Sequence, residues 1–97
     1  LQPLFKGPVV VLTSARSISD AEIAADVPKW TGRAKIIGAK IPGIVLSSKL
    51  FDIPGGFHRR VPIADYSSIG SGRLEGSGVT PDIPVSADRA LEVALAQ

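Results

Sequence analysis

Cysteine is absent from this chain, and so is methionine. No disulfide, thiolate nucleophile or cysteine-bound zinc is therefore available, while the redox compartment stays undetermined. Histidine occurs once, at His58, and no cluster of His, Asp and Glu has metal-ligand spacing, so neither a metal nor a cofactor is expected. Long apolar runs are also missing. Val9 to Leu12 and Ile44 to Leu46 are far too short to cross a bilayer, and no signal peptide is recognisable, so membrane insertion is not expected. Charge of one sign is nowhere concentrated: the net charge is +2, Arg59-Arg60 is the only adjacent basic pair, and no aromatic-interleaved basic stripe exists. Nucleic acid is therefore not an expected partner. The chain opens on Leu1 and reads as a piece of a longer protein.

What remains is the composition of an ordinary folded domain. Of the 97 residues, 44% are hydrophobic and 21% charged, enough for one small α/β unit with a modest core. "PVVVLT" (8–13) is a β-branched run between Gly7-Pro8 and Ser14, the pattern of a strand buried on both faces of a parallel sheet. A helix is expected from about Ser19 to Trp30, opened by a Ser19–Glu22 capping box and ended or kinked at Pro28. Its apolar face would carry Ile23 and Val27, and Trp30 would pack between helix and sheet. "AKIIGA" (34–39) reads as a second buried strand, so strand, helix and strand form a crossover unit. Residues 44–53 and 57–66 flank Pro54-Gly55-Gly56 and read as a strand pair joined by a turn. Residues 70–85 read as a Gly- and Pro-punctuated loop. "SADRALEVALAQ" reads as a C-terminal helix with Ala87, Leu91, Ala94 and Leu95 on one face.

Ser19 raises the question of chemistry. A serine hydroxyl becomes a nucleophile only when a base takes its proton and donors face the developing oxyanion. The first turn of a helix behind a buried strand offers unpaired N–H groups and a favourable dipole. There the amide of Asp20 is the candidate oxyanion donor. The same residues serve as a plain helix start, because Ser is a favoured N-cap and a Ser-x-x-Glu box needs no catalysis. Spacing alone favours the cap.

Taken together, "PVVVLTSARSISDAEIAADVPKWTGRAKIIGAKIPG" and "LEGSGVTPDIPV" resemble the C-terminal part of the peptidase S41 domain. That family holds the tail-specific and tricorn-like proteases and their retinoid-binding-protein relatives. Its motifs run as a hydrophobic strand, Ser-Ala-Ser-Ala-x-Glu, a Gly-Arg-Ala strand, a β-rich stretch, Glu-Gly-x-Gly-Val-x-Pro-Asp-Ile and a closing helix. Order and spacing match from about Gly7 to Ala96. The resemblance implies a crotonase/ClpP-like α/β fold: a βαβ unit with a mixed sheet and a C-terminal helix. A flavodoxin-like unit would read similarly from the elements alone. Residues 1–97 would be the C-terminal portion of a single S41-type peptidase domain. The family's nucleophile falls on Ser19, in Ser17-Ile18-Ser19-Asp20-Ala21-Glu22, and the acid of the tricorn-like catalytic tetrad falls on Glu75. Gly32-Arg33-Ala34, Gly38, Gly76, Gly78, Pro81 and Asp82 fall on turn and strand positions.

The departures concern the base. Tail-specific proteases carry a general-base lysine 25 residues after the serine, where this chain has Ile44 behind a retained Gly43. Lys40 and Lys49 reach that place only in a slipped alignment. Tricorn-like members take a histidine from the earlier half of the domain, which this sequence does not contain. His58 matches no family histidine and reads as a surface strand residue, as Lys35 reads as a strand-end charge. The implied function is serine-type hydrolysis of peptide bonds by Ser19, with Glu75 and the Asp20 amide, the segment being inactive by itself. Two alternatives stand beside it: an S41-like module that binds a ligand or peptide without turnover, and a scaffold in which Ser19 only caps a helix. The partners implied are a peptide or protein substrate, the N-terminal half of the domain, and a second copy in a homo-oligomer through apolar faces made to meet that half. The export of many bacterial relatives implies an exported or periplasmic location.

Overall fold

The computed structural model describes residues 4–68, 70 and 72–97. Along the chain come β1 (Val10–Thr13), α1 (Asp20–Trp30), β2 (Lys35–Gly38), β3 (Ser47–Ile53) and β4 (Phe57–Ala64). After them follow β5 (Ser67–Ser68), β6 (Gly72–Arg73), β7 (Ile83–Pro84) and α2 (Ala87–Leu95). The β-branched runs pair as expected. β1 lies parallel to β2, with Val11 opposite Ile36 and Leu12 opposite Ile37, and α1 forms the crossover between them.

β7 adds to the other side of β2 in parallel, giving the order β1-β2-β7. This corrects the reading of 70–85 as loop throughout (Ser71, within it, lies outside the described residues). Two residues carry no periodicity, which is why the strand escapes a sequence reading. Asp82 extends the pairing: its N–H donates to the Ile36 carbonyl at 2.8 Å, and its Oδ2 accepts from the Ile36 N–H at 2.7 Å.

Ile36 and Ile37 are both fully buried, and strand alternation points them to opposite faces, so β2 is covered on both sides. Ile36 joins Ala25, Ile41, Val45, Leu74 and Val79 in the core cluster, while α2 packs on β1 and β2. The two helices bury different faces from those their leucines and valines mark. In α1 the buried residues are Glu22, Ala25 and Asp26, and Val27 is exposed. In α2 Ala90 is buried while Leu91 and Leu95 face outward. The apolar stripe misleads because each helix buries an alanine, Ala25 or Ala90, and because the two acids of α1 find partners far along the chain.

Pro28 neither ends nor breaks α1 at once; the helix runs two residues past it to Trp30. In the last turn a proline forgoes one hydrogen bond near an end that is open anyway. Here the Arg33 and Ala34 amides close that end on the Pro28 carbonyl, at 2.9 and 3.1 Å. Trp30 lies beyond it, not between helix and sheet. It is 51% exposed, with its ring against Gly70 and the Lys29 ammonium 5.3 Å from its centroid.

β3 and β4 form an antiparallel hairpin around residues 54–56, with Asp52 opposite His58 and Ile53 opposite Phe57. β3 starts at Ser47, three residues later than the apolar run predicts. The reason lies in residues 43–46, whose amides are bonded to carboxylates rather than to a neighbouring strand.

Candidate active site at the Ser19 turn

The chain leaves β1 through a tight turn knitted by its own serines. Ser17 N–H donates to the Ser14 carbonyl at 3.0 Å, Ser14 N–H to Ser17 Oγ at 3.1 Å, and Arg16 N–H to Ser14 Oγ at 3.1 Å. Small hydroxyl side chains suit such a turn because they satisfy backbone groups within one or two residues. The turn delivers Ser19 to the start of α1 with φ 59° and ψ −121°. Among the described residues it is the only non-glycine with a positive φ. L side chains avoid that region, so its presence marks strain held by the surroundings.

A helix cap does not require this. The second helix also begins with a serine, Ser86, and there the backbone is extended at φ −61° and ψ 149°. Extended backbone is the usual N-cap geometry. The Ser19–Glu22 capping box is present, but its halves are unequal. Ser19 N–H donates to Glu22 Oε2 at 3.2 Å, whereas the Glu22 N–H goes to the Ser19 carbonyl at 2.9 Å and the hydroxyl makes no ordinary side-chain cap bond. The Ser19 side chain is exposed. Among the described residues no acceptor takes the Asp20 N–H, so that amide stays available at the helix N-terminus.

Opposite Ser19 runs the segment 43–46. Ser19 N–H also donates to the Ile44 carbonyl at 2.8 Å, which ties the serine to that segment directly. Two carboxylates hold the four amides. Glu22 accepts from Gly43 at 2.8 Å and Ile44 at 2.6 Å, and Glu75 Oε2 accepts from Val45 at 2.7 Å and Leu46 at 3.3 Å. Glu75 reaches this place from a turn in which Ser77 and Gly78 donate to the Leu74 carbonyl and Gly76 donates to the Gly43 carbonyl. Gly43 and Gly78 are required there. Both have positive φ, and a Cβ on Gly43 would stand 2.6 Å from the Gly78 nitrogen. Ser19 and Glu75 are thus bonded to the adjacent residues Ile44 and Val45.

Other candidates lie apart from this network. His58 Nδ1 is 2.7 Å from Asp52 Oδ1 on the exposed hairpin, a cross-strand pair in open solvent. Lys49 lies on β3, its ammonium 5.5 Å from the Phe51 ring centroid, and Lys40 is exposed; neither bonds to Ser19. Ile44, at the position of the tail-specific lysine, is 53% exposed. No group of three or more His, Cys, Asp or Glu that could hold a metal occurs among the described residues, and no described helix is long and apolar enough to cross a membrane. Sequence reasoning missed Glu22 as a hub. The only local signal was its place in the capping box, which says nothing of bonds 21 and 22 residues away.

An α/β unit with a serine on a strained strand-to-helix turn is a recurring way to present a hydrolytic nucleophile. Comparison with known proteins gives the family. The model of peptidase family S41 matches residues 1–85, and the chain belongs to that family. It is 35% identical over 81 residues to a carboxyl-terminal-processing protease of Picosynechococcus sp., covering 84% of this chain and 20% of the relative. Among solved structures it resembles a photosystem II D1 C-terminal processing protease, with a TM-score of 0.75 and 26% identity over 86% of this chain and 22% of the other. Mature CPAF shares the fold at a TM-score of 0.74 and 23% identity, over 86% of this chain and 17% of its own. The chain therefore spans about a fifth of the length of these relatives.

Proposed function

We propose that this chain carries the nucleophile of a serine-type peptidase, as the C-terminal portion of one S41-type peptidase domain. The observation that carries the reading is the backbone of Ser19: exposed, strained at φ 59°, and followed by an amide that takes no acceptor among the described residues. In the reaction Ser19 Oγ attacks the carbonyl carbon of a peptide bond and its proton passes to a general base. The carbonyl π electrons move to oxygen, and the Asp20 N–H donates to that oxyanion. Collapse of the adduct breaks the C–N bond, the base returns the proton to the leaving amine, and water then hydrolyses the acyl-serine.

The base is not among these residues. Ile44 stands where a lysine would, and His58 is committed to Asp52 on the hairpin. The reading therefore takes the base from a histidine elsewhere in the domain, with Glu75 turned toward it. One oxygen of Glu75 is held by the Val45 and Leu46 amides, which supports a carboxylate fixed in orientation.

The test is labelling of the full-length protein with a fluorophosphonate probe, with and without Ser19→Ala, and identification of the labelled residue by mass spectrometry. Labelling that vanishes in the variant establishes an activated serine. A folded protein that takes no label returns Ser19 to its capping role and favours binding of a ligand or peptide without turnover.

A further inference from the structure

We propose that Glu22 is the positioning residue of the Ser19 site, a reading that rests on the peptidase proposal for its functional sense. Its carboxylate is completely buried, at 0% exposure, and no cation pairs with it among the described residues. A buried charge without a counter-ion is expensive unless hydrogen-bond donors surround it. Three do. Gly43 N–H donates to Oε1, and Ile44 and Ser19 N–H both donate to Oε2, at 2.8, 2.6 and 3.2 Å. Glu22 also lies in the first turn of α1, where the helix dipole favours a negative charge.

The sharing of Oε2 is the decisive feature. One oxygen holds the Ser19 and Ile44 amides together, while Ser19 N–H also reaches the Ile44 carbonyl at 2.8 Å. The two links close a small ring between the serine turn and the facing segment. Within that ring Ser19 N–H cannot swing away, so φ stays positive and the hydroxyl stays turned outward. An ordinary capping glutamate needs only the bond to the cap amide. Here that bond is the longest of the three, and the shorter ones go to residues 43 and 44. The arrangement is built to fix where residue 44 lies relative to Ser19.

Glu22→Gln and Glu22→Ala separate positioning from mere stability. Glutamine keeps one acceptor oxygen but turns an NH2 group toward an N–H, so one or two of the three bonds are lost. Alanine loses all three. Three readouts are needed on the full-length protein: the thermal midpoint, amide hydrogen exchange at Gly43 and Ile44, and the saturation kinetics of fluorophosphonate labelling at Ser19. The expected result is a folded Glu22→Gln protein with faster exchange at those two amides and unchanged exchange in β2. Its labelling rate at saturation should fall about tenfold, with the half-saturating probe concentration unchanged. In Glu22→Ala, where folded, the fall should approach about 100-fold, as for a misplaced reacting group. Wild-type labelling kinetics in a folded Glu22→Gln protein with altered exchange would overturn the positioning role. Unchanged exchange at Gly43 and Ile44 would overturn the clamp itself. If the unmodified protein takes no label, the peptidase reading fails, and the exchange data alone decide whether Glu22 holds the turn.

Discussion

Gly78 and Gly76 make a matched pair for testing the turn that carries Glu75. Both have positive φ, +69° and +80°, and they are two residues apart. They differ in what surrounds them. A Cβ on Gly76 meets nothing within 4 Å, whereas one on Gly78 would stand 1.7 Å from the Ile41 carbonyl oxygen and 2.7 Å from its carbon. Gly76→Ala therefore adds only the left-handed backbone cost, about 1–2 kcal/mol, lowered by about 0.5 kcal/mol because alanine restricts the unfolded chain. Gly78→Ala adds the same cost and a steric one. A carbon–oxygen contact settles near 3.3 Å, so the turn must retreat by roughly 1.5 Å.

That retreat disturbs the Ile41 N–H to Val79 carbonyl bond of 3.1 Å and the Gly78 N–H to Leu74 carbonyl bond of 2.8 Å. At about 1 kcal/mol for each bond, with overpacking of about 1–3 kcal/mol, Gly78→Ala should cost about 4–6 kcal/mol. For a domain of this size about 1 kcal/mol lowers the midpoint by roughly 4–8 °C. Thermal unfolding followed by circular dichroism should show a drop of about 5 °C in Gly76→Ala and of more than about 15 °C, or no folded protein, in Gly78→Ala. Equal drops in the two variants would refute the reasoning, because the close approach of residue 78 to Ile41 would then carry no energy.

Three further outcomes follow from the same geometry. At Ser86, whose backbone is ordinary, glycine and alanine should differ only by capping preference; at Ser19 glycine should gain about 1 kcal/mol more over alanine, measured by urea midpoints, because it relieves the positive φ. Ile44→Lys should change stability by less than about 0.5 kcal/mol, since the side chain is 53% exposed, and should raise the fluorophosphonate labelling rate by setting an amine beside Ser19. The Arg73 guanidinium hydrogen bond, followed by the Tyr66 amide, holds the Asp65 carboxyl below its ordinary value of 3.8. The stability this lends is present above that value and lost as pH falls through the lower folded one; in Arg73→Leu the carboxyl NMR titration should move up toward 3.8, and an unmoved titration would assign the shift elsewhere.

The parts of the fold legible in the sequence are those with a local cause. β-branched runs gave β1 and β2, Ser-x-x-Glu marked the start of α1, and Pro54-Gly55-Gly56 marked the hairpin turn. The family resemblance aligns Ser19 and Glu75 with the serine and the acid of the family's motifs. What stayed hidden depends on distant partners. Nothing local marks Glu22 and Asp26 for burial, yet they are buried, and Glu22 is satisfied by amides 21 and 22 residues further on as well as by the cap amide. Leu91 and Leu95 look like a core face but are exposed, because Ala90 meets the sheet. Residues 44–46 look like the start of a strand, and two carboxylates take their amides instead.

The two serine caps of this chain bear on why Ser19 is strained at all. Ser86 begins a helix with no unusual backbone, so capping by itself explains nothing at Ser19. Positive φ at a non-glycine costs about 1–2 kcal/mol, and here the N–H of the strained residue is bonded to the buried Glu22 carboxylate. Such a combination gives no advantage to a helix end; on the peptidase reading proposed above, it leaves an exposed serine followed by an amide for which the described residues supply no acceptor. On the peptidase reading the strained turn, its Glu22 clamp and the Asp20 amide would be the costly components of the site, because many atoms must agree. The base is the cheap one, a single side chain that can approach from any neighbouring element. With Ile44 in the lysine position, the peptidase proposal requires a proton acceptor from elsewhere in the domain, and the search for it begins at the exposed side of Ser19.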